Sequence, residues 1–225
     1  MSPIIIDHNH PKYRAVWESM ADSNRWNGAY FYSKEIVKNI IPRVETDRNW
    51  VTVNIEGLAA DHAIVFVHSN LKTERYDWLK AFNDLILVCG IPETVPKVAH
   101  LGKAVYLPLS VDVEYVERFK VPENEREMNV AYVGRPAKRM GITFPRGTIL
   151  LERMTRPHLL RSMAKCHDIY AVGRAAIEAR ILGCNILPYD PRFPDPNRWK
   201  IVDNEEAAEI LQQLIDEIDG AKYDN

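Results

Sequence analysis

The chain has 225 residues, of which 46% are hydrophobic and 27% are charged, and its formal net charge at pH 7 is -2. This usage supplies enough apolar material for a sizeable core, so it excludes a disordered or a fibrous chain. The near-neutral charge removes the general electrostatic argument for nucleic-acid binding, which is not favoured, although a local basic patch stays possible.

The longest apolar runs, at residues 63–67 and 85–89, are too short to cross a bilayer, and the first residues show no signal-peptide pattern. Cys89, Cys166 and Cys184 are odd in number and form no CxxC pair. This usage predicts buried thiols in a reducing compartment rather than disulfides or a zinc site. We therefore expect a cytoplasmic protein without a transmembrane segment.

Short apolar runs alternate with helical patterns along most of the chain, which predicts a parallel α/β architecture with helices on both sheet faces. In the first half the strands are predicted over residues 50–55, 63–67, 85–89 and 104–107, and the helices over 33–41, 72–82 and 96–101. In the second half the strands are predicted over residues 129–133, 148–151, 168–172 and 185–189, and the helices over 156–165, 174–182 and 204–218. Gly183 is predicted to cap the second of these helices and Asn204 to begin the last.

The charged segment 121–127 is predicted to link two Rossmann-like halves, residues 1–122 and 123–225. Parallel sheets of this kind bind ligands at the carboxyl ends of their strands. We expect the two halves to face each other, with the ligand in the crevice between them.

The strongest local pattern lies at residues 172–187, where a strand leads into Gly173 and a helix that begins at Arg174. The start of a helix offers N–H groups and a partial positive charge that suit an anion. Glu178, in the first turns, could accept hydrogen bonds from a ribose diol. It could equally be a surface glutamate on a packing helix, and the residues alone leave both interpretations open.

This segment resembles the donor-site motif of GT-B glycosyltransferases, in which a strand leads into G-R-x-x-x-E-A-x-x-x-G and then into another strand. The resemblance implies that Glu178 binds the ribose of a nucleotide sugar. It also implies that Gly173, Arg174 and Ala175 lie near the phosphates or the sugar.

A second segment, residues 132–141, is similar to the V-G-R and K-G pattern of the same family. The resemblance implies that Arg135 and Lys138, which follow Gly134, neutralise the donor diphosphate as its bond to the sugar breaks. In the family pattern the lysine directly precedes a glycine, whereas Arg139 and Met140 separate Lys138 from the next glycine here. Arg139 is therefore the substitute candidate for the role of Lys138. Without the resemblance, the simpler interpretation is a strand that ends in a solvated basic loop.

His68 follows the predicted strand 63–67, and in this family a histidine of the first half often lies near the donor sugar. A neutral imidazole there could bind a sugar hydroxyl or take a proton from the acceptor. A lone histidine at a strand end is more often a structural hydrogen-bonding group. Asp7, His8 and His10 could hold zinc, but no second cluster supplies further ligands, so we expect no metal site.

The chain departs from the family pattern at Ser110, where the family's interdomain junction has a glycine, and at Tyr170, where many retaining members have a glutamate. The retaining or inverting course, the sugar, the acceptor and the oligomeric state therefore stay open.

The resemblance implies a metal-independent hexosyltransferase that takes its sugar from a nucleotide-diphosphate sugar and needs no further cofactor. One alternative is a non-catalytic nucleotide or nucleotide-sugar binding module on a reduced GT-B fold. Another is a different α/β enzyme, such as a nucleotide hydrolase. A nicotinamide-dependent epimerase is disfavoured, because no G-x-G-x-x-G follows any predicted strand.

Overall fold

The computed structural model describes residues 2–19, 28–54, 58, 60–68, 76–134, 141–152, 154–188 and 195–220. By its internal contacts the chain divides into two compact units. The first comprises Met1–Ser19, Ala29–Leu109 and Val202–Asn225, and the second is built on Ser110–Ile201. Each unit has a parallel sheet, which confirms the predicted α/β class.

The first unit has a sheet of five parallel strands in the order β1-β2-β3-β4-β5. These strands are β1 Ile5–Ile6, β2 Asn49–Val51, β3 Asp61–Val67, β4 Asn83–Cys89 and β5 Lys103–Tyr106. Four of them confirm predicted strands with shifted ends. The sequence does not reveal β1, because two residues are too few to show a period.

Helices cover both faces of the first sheet, as its continuously apolar strands predict. The helices of this unit are α1 Pro11–Ser19, α2 Gly28–Glu35, α3 Val95–Val98 and α7 Asn204–Gly220, the last preceded by the short strand β11 Val202–Asp203. On one face Val65 and Leu87 belong to the same core cluster as Val98 of α3. On the other face Phe66 packs in a cluster with Leu211 of α7.

The end of the helix predicted over residues 33–41 and the start of the last helix differ from the prediction. The first of these segments does not stop at residue 41 but continues through a π-helical turn, Ile36–Ile40, into a 3-10 turn, Ile41–Arg43. Pro42 is tolerated there because the first residues of a helical turn need no N–H partner. The first turn of α7 is capped by Asp203 rather than Asn204, since Asp203 Oδ1 accepts a 2.8 Å hydrogen bond from the N–H of Glu206.

The second unit has a sheet of four parallel strands in the order β10-β9-β7-β8. These strands are β7 Met128–Val133, β8 Ile149–Leu151, β9 Cys166–Tyr170 and β10 Asn185–Leu187. The unit also contains β6 Ser110–Val111, α4 Val113–Glu117, α5 Arg156–Ala164 and α6 Arg174–Ile181. All four sheet strands and both long helices confirm predicted elements.

Helix α6 ends in the left-handed glycine cap that the sequence predicts. Gly183 has φ 84, and the N–H groups of Gly183 and Cys184 donate to the carbonyls of Arg180 and Ala179. The Arg126 guanidinium adds hydrogen bonds to the carbonyls of Gly183 and Leu182, at 2.6 and 3.1 Å. A cation at this end is favourable because helix carbonyls carry partial negative charge.

The three cysteines are free and buried, as predicted. Burial raises the pKa of Cys89 and of Cys166 to about 12 and that of Cys184 to about 11. Such thiols carry almost no thiolate at neutral pH, so they act as core residues. Across the described part of the chain, no helix is long and apolar enough to span a membrane.

An ionic network joins the amino ends of β3 and β4 in the first unit. The His62 ring lies between two carboxylates, with Nδ1 2.6 Å from Asp84 Oδ2 and Nε2 3.0 Å from Asp47 Oδ1. His62 and Asp84 both have positive φ, at 50 and 48, which is unusual for residues with a side chain. The hydrogen bonds to Asp84 and Asp47 raise the pKa of His62.

This network predicts a pH-dependent stability. Because the folded-state pKa of His62 lies above its unfolded value of about 6.5, the stabilisation is complete below that value and is lost as pH rises through the folded-state pKa. When urea unfolding is measured at increasing pH, we expect the free energy of unfolding of the wild type to decline above about pH 6.5. His62→Gln should remove part of that decline. The control is His158→Gln, which changes an exposed histidine of the second unit. Equal declines in all three proteins would contradict this role of His62.

Candidate functional site

The strand order of the second sheet reverses beside β7. After β7 the chain forms β8 on one side and then crosses to β9 and β10 on the other. In parallel α/β sheets a crevice opens at such a reversal, at the carboxyl ends of the strands, and ligands bind there. Gly134 comes directly after β7 and Gly173 comes shortly after β9, so both predicted glycines lie at this reversal.

Gly173 makes the turn from β9 into α6 in a conformation that glycine adopts readily and other residues rarely do. Its φ is 63 and its ψ is -143, and a Cβ added there would meet no atom within 4 Å. Backbone conformation rather than lack of space therefore requires the glycine. The first helical hydrogen bond runs from the N–H of Ala176 to the Gly173 carbonyl at 3.0 Å. The N–H groups of Arg174 and Ala175 precede it at the start of the helix, the end that attracts an anion.

Gly134, by contrast, is required by space. A Cβ at this position would collide with the Tyr132 hydroxyl, and Tyr132 is fully buried. The close packing of Gly134 against the Tyr132 ring therefore depends on the absence of a side chain at this position. The three basic residues predicted to follow it, Arg135, Lys138 and Arg139, lie outside the described residues, so their roles stay predictions.

Glu178 is not a surface residue: only 1% of it is exposed. Its Oε1 accepts a 2.9 Å hydrogen bond from Arg156 Nη2 and lies 3.5 Å from Arg174 Nε. Side chains of a helix lean toward its amino end, so this carboxylate lies over the first turn of α6. Its second oxygen, Oε2, is buried and accepts no hydrogen bond from any residue that the structure describes. A buried oxygen in this state costs stability unless a water molecule or a ligand donates a hydrogen bond to it.

Arg156 is a residue of the site that the sequence analysis missed. It begins α5, bonds Glu178 and places its guanidinium 5.3 Å from the centre of the Tyr115 ring in α4. The signal was present: α5 and α6 both begin with arginine, at the end where helix dipoles repel a cation. A doubly charged anion beside these helix starts would stabilise both arginines. The two helix dipoles would attract the same anion.

Tyr170, which the motif resemblance aligns with a glutamate of many retaining glycosyltransferases, packs among other aromatic rings. Its ring lies 5.0 Å from that of Phe144, which also contacts Tyr132 at 4.9 Å between ring centres. Tyr132 and Tyr170 are register partners on β7 and β9. Tyr132, Phe144 and Tyr170 therefore form an aromatic group beside the two strands that flank the reversal.

His68 lies in the first unit, directly after β3, and makes the structural contacts that a strand-end histidine commonly makes. Its ring Nε2 donates a 2.9 Å hydrogen bond to the Thr52 carbonyl, and its backbone N–H donates to Asn54 Oδ1 at 2.8 Å. Burial lowers the pKa of His68, so its ring is neutral at pH 7. With the proton on Nε2, the other ring nitrogen, Nδ1, can only accept.

The segment at residues 7–10 does not assemble a metal site. The Asp7 carboxylate accepts hydrogen bonds from the backbone and side-chain amides of Asn9, at 2.8 and 3.3 Å. His10 Nδ1 accepts from the N–H of Lys12 at 3.3 Å, which caps α1. Among the described residues no group of three or more histidine, cysteine or acidic side chains could hold a metal ion.

No protein-family model, curated protein or solved structure matches this chain. Functional interpretation therefore depends on the site geometry and on the motif resemblance.

Changing Gly173 tests whether its turn matters to a ligand as well as to folding. Gly173→Ala should lower the free energy of unfolding by about 1–3 kcal/mol, because alanine is strained in that conformation. It should also weaken anion binding by displacing the N–H groups at the start of α6. Gly147→Ala is the matched control, since Gly147 has φ 92 and equally open surroundings. Similar effects of the two variants on nucleotide binding, measured by calorimetry, would contradict a ligand role for Gly173.

Proposed function

We propose that this chain is a glycosyltransferase that moves a sugar from a nucleotide-diphosphate sugar to an acceptor, and that its second unit binds the donor. One observation carries the proposal: the carboxylate of Glu178 is buried over the start of α6, and one of its oxygens accepts no hydrogen bond from the described part of the chain. A ribose hydroxyl would satisfy that oxygen. The diphosphate would then lie at the helix start, where charge and N–H groups favour it.

The proposed donor site stabilises the leaving group with cations and helix dipoles. Arg174 and Arg156 begin the two helices at the carboxyl edge of the sheet, and Ala175 contributes an N–H group. The residues after Gly134 would add Arg135, with Lys138 or Arg139, to the same diphosphate. Positive side chains and helix ends can stabilise the charge that develops on a departing diphosphate, so the proposed mechanism is metal-independent.

His68 of the first unit is the proposed catalytic base. This role requires the two-half arrangement of GT-B enzymes, which is part of the proposal. The acceptor hydroxyl gives its proton to His68 Nδ1, and its oxygen bonds to the anomeric carbon of the donor sugar. The bond from that carbon to the diphosphate breaks, and the diphosphate leaves with the electron pair. A neutral imidazole is the form that can take the proton, and burial keeps His68 in that form.

A non-catalytic nucleotide-sugar binding module is the second candidate, and one observation favours it. Tyr170 packs on Phe144 where the family commonly has an acid near the sugar. An aromatic group at that position can hold a ligand without taking part in acid or base chemistry.

Donor turnover separates the two candidates. Each nucleotide sugar is incubated with the protein, and release of the nucleotide diphosphate is followed without any added acceptor. A transferase should hydrolyse one donor slowly, with water as acceptor. His68→Ala should reduce that rate about 100-fold while the nucleotide affinity stays within about twofold, and the control His158→Gln should match the wild type. Binding of a donor without turnover would favour the binding module, and an unchanged rate in His68→Ala would remove His68 from the mechanism.

A further inference from the structure

A cavity of about 340 Å³ opens on the first unit beside the segments that lead into β4 and β5. Its described lining consists of Tyr76, Asp77, Lys80, Lys97, His100 and Leu101. These segments precede the two strands, so the cavity lies toward their amino ends, whereas the site proposed above uses carboxyl ends. The proposed function therefore assigns no ligand to this cavity.

The cavity has the size and the apolar surface of a small-molecule site. Tyr76 and Leu101 are half-buried and pack against the core cluster on one face of the first sheet. Ligand sites in proteins commonly have volumes of about 300–1,000 Å³ and combine apolar walls with a few placed polar groups. The volume and the two apolar residues therefore suit a small organic molecule.

Both lysines of the lining are attached to backbone that the core holds in place. Lys80 directly follows Leu79, and Lys97 directly precedes Val98. Leu79 and Val98 are fully buried in the same core cluster. The N–H of Leu79 also donates a 2.9 Å hydrogen bond to the carbonyl of Tyr76, which fixes this wall of the cavity. The ammonium groups are exposed, but a ligand would find their backbone already ordered, which lowers the cost of binding.

The charge of the lining favours an anion. Lys80, Lys97 and His100 are opposed by a single acid, Asp77. Lys80 Nζ lies 2.7 Å from Asp77 Oδ1, and this bond uses one of the three N–H groups of the ammonium. The cavity is thus locally basic on a chain whose formal net charge is -2.

Phosphate fits this set of donors better than carboxylate does. Ammonium groups are compact point charges that commonly bind phosphate, whereas the planar fork of arginine is the group that matches carboxylate. The described lining contains lysine and histidine but no arginine. A phosphate group has enough oxygens to accept from two ammonium groups and an imidazole at once.

We propose that this cavity binds a small phosphomonoester. Lys80, Lys97 and His100 bind the phosphate, and the organic group packs against Tyr76 and Leu101. The inference goes beyond the proposed glycosyltransferase function and does not depend on it, because it involves no residue of the donor site and not His68.

Nuclear magnetic resonance titration of the full chain tests the proposal. The probe is phenyl phosphate, compared with inorganic phosphate, which lacks the ring, with benzoate, which carries a carboxylate, and with benzyl alcohol, which has no charge. Phenyl phosphate should shift the ring signals of His100 and the methyl signals of Leu101 in a saturable manner. Inorganic phosphate should shift His100 with weaker affinity. His68, which follows β3 at the other end of the strands, should not shift.

Lys97→Gln should weaken phenyl phosphate binding by about fivefold, the upper range for an exposed ion pair. The matched control is Lys103→Gln, which removes the same charge from the start of β5. Lys103 donates to the carbonyl of Ile218 and does not line the cavity, so this variant should bind like the wild type. Both lysines are exposed, and exposed substitutions usually leave the fold intact.

Three results would overturn the proposal: no saturable shift of His100, equal affinities of the two lysine variants, or binding of benzoate or benzyl alcohol as tight as that of phenyl phosphate. A nucleotide also carries phosphate, so the variants must separate the two sites. Nucleotide binding that Lys97→Gln weakens and Glu178→Ala does not would belong to this cavity and would count against the donor site. The opposite pattern, with no binding of phenyl phosphate, would support the donor site and reject the cavity.

Discussion

Glu178→Ala is expected to weaken nucleotide binding by about 1.5–3 kcal/mol, or roughly 10- to 150-fold, because hydrogen bonds to a charged carboxylate are lost. The loss should appear as a weaker affinity in calorimetric titration with the nucleotide that the wild type binds. The variant should also lose stability, since Arg156 and Arg174 lose a carboxylate that is 1% exposed. A loss of nucleotide affinity in Glu178→Ala can therefore be assigned to the ribose contact only if a control variant with a similar loss of stability keeps its affinity.

Asp219→Ala is that control. Like Glu178, Asp219 is a helical carboxylate bonded to an arginine, but it lies in the first unit. We expect it to lower stability without changing nucleotide affinity, measured under conditions where both variants are folded. If Glu178→Ala lowers stability and binds the nucleotide like the wild type, Glu178 is a structural ion-pair residue and the ribose assignment is wrong.

The same Asp219→Ala change should be the most destabilising of the substitutions considered, at about 3 kcal/mol, the lower end of the range for breaking a buried pair. Arg48 is fully buried, and Asp219 accepts two hydrogen bonds from it, at 2.6 Å from Nη2 and 3.1 Å from Nε. Without Asp219, the buried guanidinium retains contacts at 3.2 and 3.5 Å to the Asp84 carbonyl and carboxylate. These longer contacts compensate poorly for a desolvated charge.

Urea unfolding measures this effect, with Asp216→Ala as the matched control. Asp216 is on the same helix but exposed, and it accepts a hydrogen bond from Gln212 one turn earlier. We expect that variant to lose less than about 0.5 kcal/mol, as surface substitutions commonly do. Equal losses for the two variants would show that Arg48 does not need its carboxylate partner.

Local patterns were sufficient to predict most elements of the fold. Continuous apolar runs marked β3, β4 and β7, and Gly183 marked the end of α6, because each is encoded by neighbouring residues. Pairing between distant segments was not visible. The apolar stripe of α7 predicts a buried face but does not say which sheet it covers. Its contact with Phe66 of the first sheet depends on residues that are far apart in sequence.

The candidate site was predictable where one segment carries it. Gly173 and Glu178 belong to a single turn and helix, so their spacing could be read directly. Arg156 could not be found in this way, because it reaches Glu178 from another helix. The partners of His68 were also hidden, since Thr52 and Asn54 join it only when β2 and β3 pair. Strand-end residues gain their neighbours from sheet order, which local sequence does not specify.

The most direct test of the donor site is calorimetric titration of the wild-type chain with UDP, GDP, ADP and CMP, followed by the matching nucleotide sugars. We expect one diphosphate nucleotide to bind and Glu178→Ala to lose most of that affinity. Failure of every nucleotide and nucleotide sugar to bind would contradict the proposed glycosyltransferase function.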